Sequence, residues 1–363
     1  MLIAQTRQQI YINSLDYSRT QLKKWRQQVF YCPVCHEQVT LKIGTTIQPH
    51  FAHLAHSKCT VTTEGETAEH LAGKALLGEF CRHWQVNFEY EVYLPSIKQR
   101  PDLLVSTGVR HIAIEFQCSP LSIERLRERT SGYRRIGYEV VWILGQRYQR
   151  QHWTASNHAF LQYSRQWGWY QWQLDVSQHK LWLLHHIVHY GYPQQVGYQR
   201  CSVEQIKSLY KTQHQQLTPT KLLAEAQQLY RRLARSAPEL LSLQQSCYLA
   251  GHHLAGAPLC CHQASTLPIN QQASILLVVR LLLFCEKHGC VTTAQLEQFC
   301  WTYATAFYQL PLVNEHSWQL QWCRQILQQW QCQDVLRLQG AVLHYHEAKW
   351  YPDYFSKQKA IKK

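Results

Sequence analysis

No stretch of the 363 residues stays apolar for the roughly 20 positions that a bilayer-spanning helix needs. The most apolar run, SILLVVRLLLF at 274–284, is short and carries Arg280, which marks a buried helix rather than a span. The opening MLIAQTRQQIYINSL lacks the apolar core of a secretory signal. Internal repeats and long low-complexity linkers are also absent, so solenoid and disordered architectures are excluded beyond the short basic tail SKQKAIKK. Acids are scarce: 23 Asp and Glu stand against 37 Lys and Arg, a formal charge of +14 that suits a polyanion such as nucleic acid. Without a secretory segment the 14 cysteines are expected as thiols or metal ligands in a cytoplasmic protein with no membrane span.

What is present is enough apolar material, 45% of residues, for the cores of two or three domains. Three regions separate. Residues 1–60 are rich in Cys, His and basic side chains; residues 61–200 alternate helical and strand patterns; residues 201–363 are mainly helical and Gln-rich. In the last region TPTKLLAEAQQLYRRLAR opens on Thr218 and Pro219 and repeats apolar positions with helical period. The middle region predicts a helix over 65–84, strands over 88–93, 102–105 and 111–117, a helix over 122–133, a strand over 138–144 and a helix near 151–165. The runs WYQWQLD and KLWLLHHIV then predict a hairpin extending the sheet. The order is that of an α/β protein of the α+β kind, with helices on a mixed sheet.

Two carboxylates interrupt the strand pattern of RPDLLVSTGVRHIAIEFQCS. In HIAIEFQC the side chains alternate, so Glu115 and Gln117 share a face with Ala113 while Ile112, Ile114 and Phe116 take the other. Asp102 follows Pro101 at the start of the preceding strand, and the intervening STG has hairpin-turn chemistry. Pairing the two strands brings Asp102 beside Glu115, where repulsion is relieved by a divalent ion; Mg²⁺ takes one or two carboxylates and keeps waters for a phosphate substrate. Glu66, His70 and Lys74 recur at intervals of four on the preceding helical pattern, offering a third acid and a cation towards a phosphate. The competing reading is a turn acid, a solvated strand Glu and an exposed helical stripe.

Downstream, SIERLRERTSGYRR sets Arg125, Arg127, Arg129, Arg134 and Arg135 beside Tyr133, a combination that holds phosphates and stacks on bases, or else an exposed helix laced by Glu124 and Glu128. Upstream, YCPVCHEQVTLKIGTTIQPHFAHLAHSKC carries Cys32-x2-Cys35 followed by His50-x2-His53, with His56 and Cys59 beyond. This is the spacing of structural Zn²⁺. The expected ligands are Cys32, Cys35, His50 and His53, with Cys59 as the substitute for one His.

The PD followed by E-x-Q resembles the PD-(D/E)xK nuclease superfamily. HFAH, E-x-x-x-H-x-x-x-K, RPDLLV, IAIEFQCSPLS and ERTSGYRRIGYEVVWILG together resemble the competence protein CoiA family, in order and context, across about residues 1–200. The resemblance implies a restriction-endonuclease-like core between a zinc-knuckle module and a mainly helical C-terminal domain. It implies a role in DNA uptake, with Asp102, Glu115 and Glu66 binding Mg²⁺ (or Mn²⁺) and metal-assisted hydrolysis of DNA, single strands above all. Gln117 would orient the attacking water, while Ser119 and Arg129 would lie next to the site. Gln117 departs from the usual Lys, which opens the rival reading of a non-catalytic DNA-binding adaptor that works with recombination proteins. A third reading is a zinc-bearing interaction protein.

Overall fold

A computed structural model of the chain describes residues 1–55, 57, 59, 66–149, 153–208, 217–340 and 342–362. The chain forms two compact units, one of Met1–Phe160, Gln171–Leu184 and Arg200–Ser208, the other of Leu161–Tyr170, His185–Gln199 and Leu209–Lys363.

The first unit begins with five short antiparallel strands: β1 (Ile3–Gln5), β2 (Tyr11–Asn13), β3 (Phe30–Tyr31), β4 (Gln38–Lys42) and β5 (His50–His53), in the order β2-β1-β3-β4-β5. Helix α1 (Arg19–Lys24) sits between β2 and β3, its start set by a Ser18–Gln21 capping box. Ala4, Ile12, Phe30, Val39 and Phe51 form the core of this sheet.

Next come α2 (Ala68–His83), β6 (Asn87–Tyr90), β7 (Leu103–Thr107), β8 (Arg110–Gln117), α3 (Ile123–Arg135) and β9 (Glu139–Leu144). Strands β6, β7 and β8 are antiparallel neighbours, and β9 joins β8 in parallel after the α3 crossover. Helix α4 (Ala155–Ala159) precedes β10 (Gln162–Ser164), β11 (Gly168–Asp175), β12 (Lys180–Tyr190) and β13 (Gln195–Ser202), giving the sheet order β13-β12-β11-β9-β8-β7-β6 with β10 on β11. The predicted hairpin is β11–β12, and it extends the sheet through a parallel contact of β11 with β9. Residues 151 and 152 of the helix expected near 151–165 lie outside the described residues, and the rest holds only α4; Gln162–Ser164 instead pairs with Gly168–Tyr170, where aromatic side chains favour strand.

Helix α3 shows why the local code works. Ser122 caps its start by accepting from the Arg125 amide, and Leu126, Thr130 and Tyr133 recur on its buried face. Helix α2 packs more closely still. A methyl at Gly73 would stand 2.0 Å from the Phe116 ring of β8, and one at Gly78 would stand 1.7 Å from the Tyr90 hydroxyl of β6. Both glycines are therefore needed for the helix to lie this near the sheet.

The second unit holds α5 (Pro219–Ala234), α6 (Pro238–Leu249), α7 (Ser274–His288), β14 (Cys290–Val291), α8 (Thr293–Thr302), α9 (Glu315–Cys332), β15 (Leu336–Gln339), β16 (Val342–Tyr345) and α10 (Tyr354–Lys362). Thr218 caps α5 as its sequence predicts. SILLVVRLLLF is α7, buried along most of its length. Among the described residues no helix is long and apolar enough to cross a membrane.

Gly73→Ala is expected to destabilise the first unit by about 1–3 kcal/mol despite the better helix propensity of Ala, because the added methyl collides with a ring fixed in the sheet. The urea midpoint of the full chain measures this; an unchanged or raised midpoint would contradict the close approach.

Candidate active site and metal centre

The Cys-x2-Cys turn lies between β3 and β4. The Cys32 amide donates to the Glu37 carbonyl at 2.9 Å, the His36 amide to the Cys32 carbonyl at 3.0 Å, and the Val34 amide to Cys32 Sγ at 3.4 Å. His36 adopts a left-handed conformation, φ 58°, to close the turn. Ligand atoms of Cys32, Cys35, His53 and Cys59 all lie within 4.8 Å of one another, and Cys35 Sγ is 3.4 Å from His53 Nε2. Burial, together with the neighbouring thiols of Cys32 and Cys59, pushes the Cys35 thiol up to about 12. A cation relieves that crowding, and three thiolates with one imidazole suit a structural metal.

The set departs from expectation at one position. His50 is outside the group, and its Nδ1 lies 2.9 Å from the Gln48 carbonyl. His50 and His53 both belong to β5, where residues three apart point to opposite faces, so the pair cannot converge on one ion. Cys59, the expected substitute for one His, takes the place. His56 lies outside the described residues.

The acidic pair is built by the β7–β8 hairpin. Leu103 pairs with Ile114, so Asp102, one residue earlier, stands beside Glu115. Glu115 is 2% exposed because β8 is an inner strand covered on both faces. Burial lifts its carboxyl to about 7; Arg129 opposes this and the charge of Asp102 adds to it. Arg129 Nη2 reaches both Glu115 oxygens at 2.5 Å, the Tyr133 hydroxyl donates to Glu115 Oε1 at 2.5 Å, and the Arg129 guanidinium lies 5.5 Å from the Trp142 ring centre.

Asp102 Oδ2 accepts from the Phe116 amide at 2.8 Å and meets His70 Nε2 at 3.1 Å. Burial works to raise its carboxyl, but His70, Lys74 and the Phe116 amide outweigh burial and hold it well below the usual carboxylate range.

Of the expected helical stripe, His70 and Lys74 lie on α2, whereas Glu66 precedes its N-cap Thr67, and Lys74 faces inward. Lys74 is fully buried, 2.6 Å from Glu66 Oε1 and 2.5 Å from Glu91 Oε1. Burial pulls its ammonium down; Glu91 and Glu66 overcome that and keep it charged. Glu66 also meets the Met1 ammonium at 2.6 Å, and Glu91 accepts from the Leu2 amide at 2.9 Å and the Ile3 amide at 3.1 Å. The charge of Lys74 is thus matched within the protein, and both Glu66 oxygens are engaged away from the Asp102–Glu115 pair. Glu91 escaped sequence reasoning: it follows β6 at φ 52°, outside any motif, and only its acid in the apolar run FEYEVY hinted at a buried partner. Gln117 points along the face of Glu115, but its amide donates to the Ser119 carbonyl at 2.8 Å, which also accepts from the Tyr148 hydroxyl.

Asp102 and Glu115 offer hard oxygens of the kind Mg²⁺ takes, and a divalent ion would relieve the repulsion from Asp102 that adds to the effect of burial on Glu115. In this arrangement Arg129 covers both Glu115 oxygens, so ion binding requires the guanidinium to withdraw. Among the described residues, no three carboxylate or imidazole groups gather here as the Cys/His group does.

Residues 66–221 match the family model described as competence protein CoiA, nuclease-like domain, and residues 14–62 match competence protein CoiA, N-terminal domain. The chain is similar to the competence protein CoiA of Bacillus subtilis (strain 168), with 34% identity over 137 residues. That stretch is 38% of this chain and 36% of the relative's length.

Two outcomes follow from this geometry. Cys59→Ala is expected to abolish stoichiometric metal content, measured by atomic absorption, while His50→Ala keeps it; the reverse pattern would overturn the ligand set. Asp102 is held ionised in the folded chain, so its stabilisation is fully present above its unfolded pKa near 3.8 and is lost progressively below it, as pH falls towards the much lower folded value. The acid limb of a stability–pH curve, followed by urea denaturation between pH 5 and about 3, is therefore expected to be shallower for Asp102→Asn than for wild type.

Proposed function

We propose that this chain, which belongs to the competence protein CoiA family, hydrolyses phosphodiester bonds of incoming DNA during transformation and recombination, using a divalent ion between Asp102 and Glu115. The observation that supports the reading is the register of β7 on β8, which stands the two acids side by side at the end of a hairpin. Mg²⁺ or Mn²⁺ bound there supplies Lewis-acid polarisation of a phosphoryl oxygen and acidifies its bound water.

The remaining work falls to side chains of this protein. Asp102 is kept ionised by His70 and the Phe116 amide, so it presents a charged oxygen at neutral pH. Glu115 would hold the ion in place of Arg129, whose guanidinium would then be a cation available to a phosphate oxygen. Gln117 orients the attacking water by hydrogen bonding once its amide leaves the Ser119 carbonyl; being neutral, it adds no charge stabilisation. Lys74 acts through Glu66 and Glu91 as a positioning residue. The exposed Arg127, Arg134 and Arg135 of α3 supply backbone contacts along the strand. Zn²⁺ is the ion of the Cys32, Cys35, His53 and Cys59 group, with a structural role. Single-stranded DNA is the preferred substrate, and recombination proteins take the product.

The second reading is a DNA-binding adaptor that has lost the chemistry. Arg129 seated on both Glu115 oxygens, together with Gln117 in place of a cation, favours it. Labelled single- and double-stranded DNA incubated with the full chain and Mg²⁺, Mn²⁺ or EDTA separates the two. Under the first reading cleavage requires the metal, and Asp102→Ala and Glu115→Ala each lower it by about 10²-fold or more. Salt-dependent DNA binding by wild type with no cleavage in either metal would overturn hydrolysis and leave the adaptor.

A further inference from the structure

The second unit contains a cavity of about 770 Å³ that the hydrolytic chemistry does not use. Three aromatic rings from three elements meet on its wall. Tyr163 of β10 pairs directly with Trp169 of β11, and Trp318 from the first turn of α9 packs on both, with ring centres 4.4 Å from Tyr163 and 4.7 Å from Trp169. Helical period then carries Gln321, Arg324 and Gln325 along the same wall. Tyr198 of β13 and His186 of β12 also line the cavity. No acid lines the cavity, and Arg324 is exposed with no ion pair among the described residues.

Two features mark this as more than a gap in the packing. Tyr163 is 42% exposed and Tyr198 46%, so two of the chain's exposed large aromatic side chains border one cavity. Trp169 is 3% exposed, and its indole N–H has no hydrogen-bond partner among the described residues, an omission that normally costs free energy. Flat, exposed rings beside an unpaired cation and an unsatisfied donor form a surface complementary to an aromatic ring bearing acceptors and joined to an anion.

We propose that this cavity is a binding site for the unstacked bases of single-stranded DNA, with Trp318 and Tyr163 as the stacking platform and Arg324 contacting the backbone. A duplex keeps its base faces covered, whereas a single strand offers each one to a ring. The volume falls in the range of ordinary ligand pockets and admits one or two nucleotides. The site rests on the reading of the protein as a DNA-processing factor, but it needs no metal and no cleavage. Its consequence is a second grip on the strand, on a unit separate from the Asp102–Glu115 pair.

The test is equilibrium binding of 5′-fluorescein oligo(dT), and of an abasic chain of equal length, to the full protein in EDTA, followed by anisotropy over a series of salt concentrations. Trp318→Ala is expected to weaken oligo(dT) binding by about ten-fold, Trp318→Phe to recover most of it, and the abasic chain to be indifferent to both. Arg324→Ala should weaken both chains and reduce the salt slope by about one. Matching circular dichroism spectra exclude misfolding, and the Phe variant separates loss of a ring from loss of packing. Equal oligo(dT) affinity for wild type and Trp318→Ala, or equal affinity of wild type for oligo(dT) and the abasic chain, overturns the inference. Because chelator is present throughout, this binding is read independently of cleavage; absence of cleavage in the separate Mg²⁺ and Mn²⁺ assay, with Trp318-dependent binding here, would sink the hydrolytic reading while leaving this one intact.

Discussion

The first unit is organised around a lysine with no access to water. Lys74 brings its ammonium into the interior only because Glu66 and Glu91 meet it there, and Glu91 in turn receives the Leu2 and Ile3 amides. Those contacts join the N-terminal sheet, α2 and the end of β6 through a single charge. A buried ion pair adds little stability over an apolar replacement, but losing one member strands the other at about 3–5 kcal/mol. The network therefore acts chiefly as a lock on arrangement: the elements assemble with every charge matched, or they do not assemble closely at all.

That lock bears on the chemistry next to it. Lys74 contributes to holding Asp102 ionised, while Arg129 and Tyr133 arrive from the crossover helix to meet Glu115. The two acids thus sit in opposite electrostatic settings, one favouring the charged form and the other pushed towards the neutral form. Such divergence between neighbouring carboxyls is characteristic of sites that handle protons or cations, although structural ion pairs produce it too.

Local periodicity carried much of this into view. The two-residue alternation of HIAIEFQC, the hairpin turn and the proline before Asp102 were sufficient to put the acids together, and Thr218 with Pro219 placed the start of α5. Where reasoning failed, the cause was geometric. Two histidines three apart converge on a helix and diverge on a strand, so the metal group closes with Cys59 and excludes His50. The N-terminal strands run two to five residues, too short for a pattern to emerge. Glu91 has no motif around it, and a helical stripe of Glu, His and Lys looks the same on paper whether it meets water or the interior. The aromatic cavity draws on residues 163 to 325, a separation that no local signal bridges.

The glycine contacts of α2 have a dynamic corollary. With Gly73 against Phe116 and Gly78 against Tyr90, this helix is seated closely on the sheet and leaves little room to slide or roll, and it carries His70 and Lys74. Any rearrangement that uncovers Glu115 must then originate in the helix on the other side, through a rotamer change of Arg129 or a shift of its helical turn. Opening would be one-sided, and its rate would be set by the side chains of α3.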